Sequence, residues 1–170
     1  MSRAPVTSDH PPGPPPRVAL TLATWFGCGL ARKAPGTVGT LGALPLVWWA
    51  GHQPLVVQFI LLGVLLSVAV PTASAAGRWF GLVDARQIVI DEVVGLLVTM
   101  LGLPVSWGTM LAGFALFRLF DIAKPWPVSF FDRKVKNGFG VVFDDAMAGL
   151  YARACLALAS VCWPQLFEGG

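Results

Sequence analysis

The acidic residues of this chain are concentrated in one region. Seven of its nine Asp and Glu residues lie between positions 84 and 145. Two adjacent pairs, Asp91-Glu92 and Asp144-Asp145, each precede an apolar run, and Asp121 closes another. Carboxylates without nearby His or Cys partners suit a hard, oxygen-preferring cation such as Mg²⁺. We therefore predict a carboxylate metal site, with Asp91, Asp121 and Asp145 as the preferred ligands and Glu92 and Asp144 next.

The two acidic pairs also have a simpler interpretation as helix caps. Each pair opens a predicted helix, where carboxylates satisfy free N–H groups and the positive end of the helix dipole. However, Gly95 follows Asp91 by four residues and Gly149 follows Asp145 by four, so each glycine shares a helix face with an acid. Small residues allow two membrane helices to approach closely. We therefore expect the two acidic helix starts to converge, with a cation or a proton between the carboxylates.

Asp121 lies at the end of a predicted helix, where the dipole disfavours an acid. Three partners remain open for its carboxylate: Arg118, Lys124 or a metal. Lys124 is followed by Pro125-Trp126-Pro127, which prevents the helix from continuing and predicts an extended turn.

Basic residues and a glycine-rich segment accompany the acids. Residues 34–40, Ala-Pro-Gly-Thr-Val-Gly-Thr, precede an apolar run, and a helix N-terminus of this kind can bind a phosphate. It is not a Walker loop, because no Gly-Lys-Ser/Thr follows. We expect Thr37, Arg118, Lys124 and Arg133 to contact a phosphate. The alternative role for the basic side chains is to bind lipid headgroups or to set membrane topology.

The composition indicates the elements that position these residues. With 55% hydrophobic and 12% charged residues, the chain is far more apolar than a typical soluble domain. The pattern predicts an all-α, polytopic membrane helix bundle with four to five membrane-embedded helices and a charged cytoplasmic face. The candidate segments are 37–50, 54–77, 88–104, 105–121 and 145–163. Residues 1–16 are predicted to be a disordered, Pro-rich tail and residues 17–170 the membrane-embedded catalytic domain.

The distribution of Lys and Arg predicts the orientation. If five segments span, residues 1–36, 77–87 and 118–144 share one side, and they hold eleven of the twelve basic residues. The opposite side holds none, and Arg153 lies within a span. Basic residues accumulate on the cytoplasmic side of membrane proteins. The acids therefore face the cytoplasm too. Segment 37–50 is short, and the predicted orientation of the later segments depends on whether it crosses the membrane.

A metal held by carboxylates beside Lys and Arg is suited to transferring or hydrolysing a phosphoryl group. Both histidines lie outside the acidic region, and no Cys-x5-Arg or Asp-x-Asp sequence occurs. The Asp-Gly that begins the CDP-alcohol phosphotransferase signature is also absent. Metal-assisted hydrolysis remains, with water or a carboxylate as the nucleophile.

Several blocks of this sequence resemble the phosphatidylglycerophosphatase A family. They are Pro35-Gly36-Thr37-x-Gly39-Thr40, Ile90-Asp91-Glu92-x-x-Gly95, Phe117-Arg118-x-x-Asp121, Lys124-Pro125-Trp126-Pro127, Phe131-Asp132-Arg133, Gly138-x-Gly140 and Asp144-Asp145-x-x-x-Gly149. They occur in the family's order and cover about residues 20–155. The resemblance implies a multi-pass, Mg²⁺-dependent lipid phosphatase of the bacterial inner membrane. Its reaction would convert phosphatidylglycerophosphate to phosphatidylglycerol and phosphate.

Two other functions remain as alternatives. Acids in membrane helices also mark transporters and ion pathways, but here they cluster at one face. A phospholipid synthase of the phosphatidyl-transfer type is disfavoured by the missing signature. The expected partners are the membrane and a phospholipid substrate within it, without nucleic acid or an implied protein partner.

Overall fold

The computed structural model describes residues 14–126 and 137–162. Within these ranges the chain forms α-helices and one short 3₁₀ helix, without a β-strand, so the predicted all-α class is confirmed. The α-helices are α1 (Arg17–Ala23), α2 (Pro35–Gly51), α3 (Leu55–Phe80), α4 (Ile90–Met100), α5 (Trp107–Ala123) and α6 (Gly138–Cys162), and the 3₁₀ helix is Cys28–Leu30. The division into a tail and a domain stays a prediction, because residues 1–13 lie outside these ranges.

Local sequence explains several helix ends. Helix α5 starts with a capping box: the Ser106 hydroxyl accepts the Thr109 N–H, and the Thr109 hydroxyl accepts the Ser106 N–H. Helix α3 is followed by Gly81, whose φ of 73° is in the left-handed region that glycine adopts easily. Helix α2 has Pro35 in its first turn, where the missing N–H breaks no hydrogen bond.

The start of α6 corrects one expectation. We expected Asp144 and Asp145 to open this helix, but it begins at Gly138, so a capping role for these two acids is wrong. The cap comes instead from Asn137, whose side-chain oxygen accepts the Gly140 N–H at 3.0 Å. Asn is among the strongest N-cap residues. The two acids therefore lie about two turns inside the helix, with their backbone already hydrogen-bonded.

Helix α4 is the centre of the fold. It packs against α2, α3, α5 and α6, and ten of its eleven residues are buried. The exception is Glu92, which is partly buried. Because α4 is apolar on all sides beyond its first turn, it can be surrounded by other helices. Its two acids are consequently held at one end of the bundle interior.

Two glycines allow α4 and α6 to pack closely. A Cβ on Gly95 would overlap the Phe117 ring and the Asp145 carbonyl oxygen, and a Cβ on Gly149 would overlap the Gly95 carbonyl oxygen. The Thr99 hydroxyl donates to Gly95 O at 2.9 Å and lies 3.4 Å from Gly149 O. The expectation that the acid-bearing faces of these helices converge is confirmed, although Asp145 is not at a helix start.

Helix α3 is the one helix within residues 14–126 and 137–162 that is long and apolar enough to cross a membrane, judged by length and composition. The expected four to five spans are therefore not confirmed. Helices α2 and α5 have 17 residues each and α4 has 11, against the roughly 20 that a span requires. Within segment 88–104, α4 ends at Met100, because the backbone leaves the helical region at Leu101, with ψ of 116°, and Gly102 follows with φ of 66°.

Candidate metal centre

Three carboxyl groups meet at the junction of α4 and α6. Asp91, Glu92 and Asp145 each present one oxygen, and these three oxygens lie within 4.8 Å of one another. Asp91 and Glu92 belong to the first turn of α4, and Asp145 reaches them from α6 across the glycine contact. The structure thus brings together two of the three preferred ligands, Asp91 and Asp145. Glu92, expected as a secondary candidate, occupies the third position. We call this set the acidic triad.

The acidic triad is withdrawn from solvent. Asp91 is 6% exposed and Asp145 is 4% exposed, while the Glu92 side chain is 12% exposed. Two buried oxygens, Glu92 Oε2 and Asp145 Oδ2, have no hydrogen-bond partner among the described parts of the chain. Buried carboxylates this close repel each other unless a cation or protons compensate their charge. An all-oxygen donor set with unpartnered atoms fits a hard divalent cation.

Arg118 and Asp121 form an ion pair beside the triad. Arg118 Nη1 donates to Asp121 Oδ2 at 2.6 Å and lies 3.7 Å from Glu92 Oε1. The two residues are one turn apart on α5, and both side chains are mostly buried. Of the partners left open for Asp121, the structure therefore shows Arg118. Asp121 lies outside the acidic triad, and its role as a metal ligand stays a prediction.

Lys124 and Asp144 form a second ion pair. Lys124 Nζ lies 2.5 Å from Asp144 Oδ2, and Asp144 Oδ1 accepts the N–H of Asp145 at 3.1 Å. Asp144 is 4% exposed. Successive residues of a helix point about 100° apart, so Asp145 can face α4 while Asp144 faces the end of α5. The expected phosphate contact, Lys124, is thereby paired with the residue that directly precedes Asp145 of the triad.

The start of α2 also reaches this region. A Cβ on Gly36 would overlap Glu92 Oε1 and approach Arg118 Nη1 and Nη2 at 3.2 and 3.3 Å. The Thr40 hydroxyl donates to Gly36 O at 2.8 Å, which ties the first turn of the helix together. Thr37 follows Gly36 and is partly buried. The glycine-rich segment singled out in the sequence therefore lies against the acids, whereas Arg133 falls outside the described residues.

The sequence did not indicate two contacts that hold this region. The Val89 N–H donates to Ala23 O at 2.8 Å, which ties the residue before α4 to the end of α1. The Tyr151 hydroxyl donates to Trp126 O at 3.0 Å, which ties the turn after α5 to α6. Both contacts join distant segments through a backbone carbonyl, which every residue has. Residue type therefore does not indicate which carbonyl accepts in either contact.

Comparison with known proteins identifies the family. The family model for phosphatidylglycerophosphatase A matches residues 21–160, which is most of the chain. The chain belongs to the phosphatidylglycerophosphatase A family. This confirms the resemblance drawn from the sequence blocks.

The chain is similar to three relatives over most of their length. The phosphatidylglycerophosphatase A of Escherichia coli (strain K12) is 34% identical over 144 residues, 84% of each chain. That of Haemophilus influenzae is 40% identical over 136 residues, 77% of this chain and 82% of the relative. A putative phosphatidylinositol-3-phosphatase of Bacteroides thetaiotaomicron is 34% identical over 158 residues, 85% and 95% of the two chains. No solved structure matches.

The acidic triad, both ion pairs and the start of α2 all lie within the residues that the phosphatidylglycerophosphatase A model matches. The candidate site therefore lies within the part of the chain that the family model matches.

Proposed function

We propose that this protein is a phosphatidylglycerophosphatase, which hydrolyses the terminal phosphomonoester of phosphatidylglycerophosphate to phosphatidylglycerol and phosphate. The observation that carries the proposal is the buried, all-oxygen acidic triad with two unpartnered carboxylate oxygens, in a chain of this family. In the reaction, the bond between phosphorus and the glycerol oxygen breaks, water supplies the new oxygen on phosphorus, and the glycerol oxygen leaves with a proton.

The triad residues Asp91, Glu92 and Asp145 would hold Mg²⁺. Their two unpartnered oxygens support this assignment, because a bound cation satisfies them and removes the mutual repulsion of the carboxylates. A divalent cation at this position supplies Lewis-acid stabilisation of the negative charge on the phosphoryl group. In place of the predicted ligand role, which no observation tests, we propose that Asp121 orients Arg118 through their ion pair.

Arg118 is the best placed side chain to bind the phosphate. Its guanidinium lies between Asp121 and Glu92, and its Nε is a buried donor without a partner in the described residues. A guanidinium offers paired N–H groups that match two phosphate oxygens. Lys124 adds a second positive charge from the end of α5. Thr37, beside Gly36, and Arg133 complete the predicted phosphate contacts.

We further propose that the enzyme is a multi-pass protein of the bacterial inner membrane, with its site facing the cytoplasm. The support is the distribution of basic residues, eleven of twelve on one predicted side, together with exposed apolar side chains on several helices. On α3, α5 and α6, Phe59, Ile60, Leu111, Ile122 and Val161 are each more than half exposed. At this position the site would reach the lipid phosphate at the headgroup level.

Purified protein in detergent micelles tests the activity. We expect Mg²⁺-dependent release of inorganic phosphate from phosphatidylglycerophosphate, with phosphatidylglycerol as the lipid product by thin-layer chromatography. Phosphatidylinositol 3-phosphate is the informative alternative substrate, because one relative is named a putative phosphatidylinositol-3-phosphatase. The Asp145→Asn variant is the matched negative control. Phosphate release from phosphatidylinositol 3-phosphate alone would contradict the proposed substrate, and release unaffected by Asp145→Asn would contradict the site.

A further inference from the structure

Lys124 has an unusual backbone conformation for its residue type. It ends α5 with φ of 42° and ψ of 60°, in the left-handed region, and its N–H donates to Phe120 O at 2.8 Å. Glycine or asparagine normally occupies such a position at a helix end. In addition, Lys124 precedes Pro125, which favours extended conformations in the residue before it. Backbone conformations of this kind persist where the surrounding structure holds them, and they cluster at functional sites.

The end of α5 is tied to α6 at two points. Lys124 Nζ contacts Asp144 Oδ2 at 2.5 Å, and Trp126 O accepts the Tyr151 hydroxyl at 3.0 Å. Asp144 and Tyr151 are seven residues apart, so they share one face of α6. The chain that leaves α5 therefore lies along this face, and Lys124 points its ammonium towards the end where the acidic triad lies.

Asp144 differs from its neighbour Asp145 in what its carboxylate contacts. Asp145 contributes to the acidic triad and has an unpartnered oxygen, whereas both oxygens of Asp144 accept hydrogen bonds, from Lys124 and from the Asp145 N–H. Asp144 is also almost fully buried. Asp91 of the triad also accepts the N–H of the residue after it, so the Lys124 ammonium is what distinguishes Asp144: it compensates the charge of this buried carboxylate without a metal.

We propose that Asp144 is a positioning residue, which holds the Lys124 ammonium beside the acidic triad so that it contacts the substrate phosphate. The sequence analysis placed Asp144 among the secondary candidates for metal ligands, and this inference assigns it a different role. It rests on the proposed function. The long, flexible stem of lysine needs such a partner, because an unrestrained ammonium would sample many positions. Asp144 thus affects phosphate binding through Lys124 and leaves metal binding to the triad.

Metal binding gives the first test. Mn²⁺ binding to the purified protein in detergent, measured by electron paramagnetic resonance, should have a dissociation constant within about threefold of wild type in Asp144→Asn. In Asp145→Asn it should rise more than about tenfold, because a ligand is lost. An equal loss of Mn²⁺ affinity in the two variants would overturn the inference, since Asp144 would then be a ligand.

A double-mutant cycle with phosphatidylglycerophosphate gives the second test. Asp144→Asn and Lys124→Met should each raise KM about tenfold, and Asp144→Asn should add less than about twofold in the Lys124→Met background, because both changes remove one contact. Equal effects of Asp144→Asn in both backgrounds would show that it does not act through Lys124. Tyr151→Phe removes the other tie between α5 and α6 and should leave KM within about twofold. A tenfold rise there would indicate a general loosening of this turn and would overturn the assignment.

Two measurements separate these outcomes from other failures. If Asp144→Asn does not yield folded protein, Lys124→Met still tests the contact through which Asp144 is inferred to act, because it should raise KM without changing Mn²⁺ affinity. An unchanged KM in that variant would overturn the inference. Failure of the proposed function has a different signature, since wild-type protein would then release no phosphate from phosphatidylglycerophosphate.

Discussion

The Gly149→Ala substitution tests how the fold sets the spacing of the acids. Gly149 lies one turn beyond Asp145 on α6, and its missing Cβ allows the backbone of α4 to approach. A Cβ there would overlap the Gly95 carbonyl oxygen and lie 3.1 Å from Val98 Cβ. The obstacle is largely backbone, which cannot rotate away as a flexible side chain could. We therefore expect α4 and α6 to separate.

The size of the effect follows from the contact. Restoring ordinary van der Waals distance requires a displacement of roughly 1 Å between the helices. Overpacking of this kind costs about 1–3 kcal/mol, partly offset by about 0.5–1 kcal/mol from replacing glycine with alanine in a helix. The net destabilisation is therefore up to roughly 2.5 kcal/mol. Activity is more sensitive, because a 1 Å displacement of catalytic groups can reduce the rate by about 10²-fold.

Gly63→Ala is the matched control for this experiment. Gly63 lies in the middle of α3, and a Cβ there has nothing within 4 Å. The same substitution should therefore leave Mn²⁺ affinity and phosphate release at wild-type levels and should not lower the melting temperature in detergent. Gly149→Ala should lower all three. Wild-type Mn²⁺ affinity and turnover in Gly149→Ala would refute the argument that this glycine contact sets the distance between Asp91 and Asp145.

Three further predictions concern the charges of the site and its place in the membrane. Asp91→Asn and Asp145→Asn should each reduce turnover by about 10²-fold or more. Neither should lower the melting temperature of the metal-free protein, measured by differential scanning fluorimetry, because each removes repulsion among buried carboxylates. A large fall in melting temperature would indicate a purely structural role. Arg118→Lys keeps the charge but loses the paired N–H groups, so kcat/KM should fall about tenfold or more in the phosphate-release assay, and full efficiency would exclude phosphate binding by Arg118. Lys33 and His52 are both exposed and lie at opposite ends of α2. We expect single cysteines at these positions, on a background without the three native cysteines, to be protected at 33 and labelled at 52 by an impermeant thiol reagent on intact spheroplasts. The same result at both positions would show that α2 does not cross the membrane.

The candidate site was partly predictable because its signals are local. In Asp91–Gly95 and Asp145–Gly149, a glycine follows an acid by four residues. This spacing places the charge and a site of close packing on one helix face, independently of the rest of the fold. The start of α6 was not predicted correctly, because Asn137-Gly138 is equally compatible with a flexible loop and with an N-cap. Only the hydrogen bond from Gly140 to Asn137 distinguishes the two.

The sequence by itself determined the helical class, the family and the clustering of the acids, because these depend on residue type and on spacing along the chain. Only the tertiary structure decided which acids share a site. Asp144 and Asp145 are identical residues in adjacent positions, yet one pairs with Lys124 and the other joins Asp91 and Glu92. Likewise, Asp121 pairs with Arg118. The reason is geometric: a carboxylate's partner depends on how α4, α5 and α6 pack together, and this packing is set by contacts such as Gly95 against Gly149, which are distant in sequence.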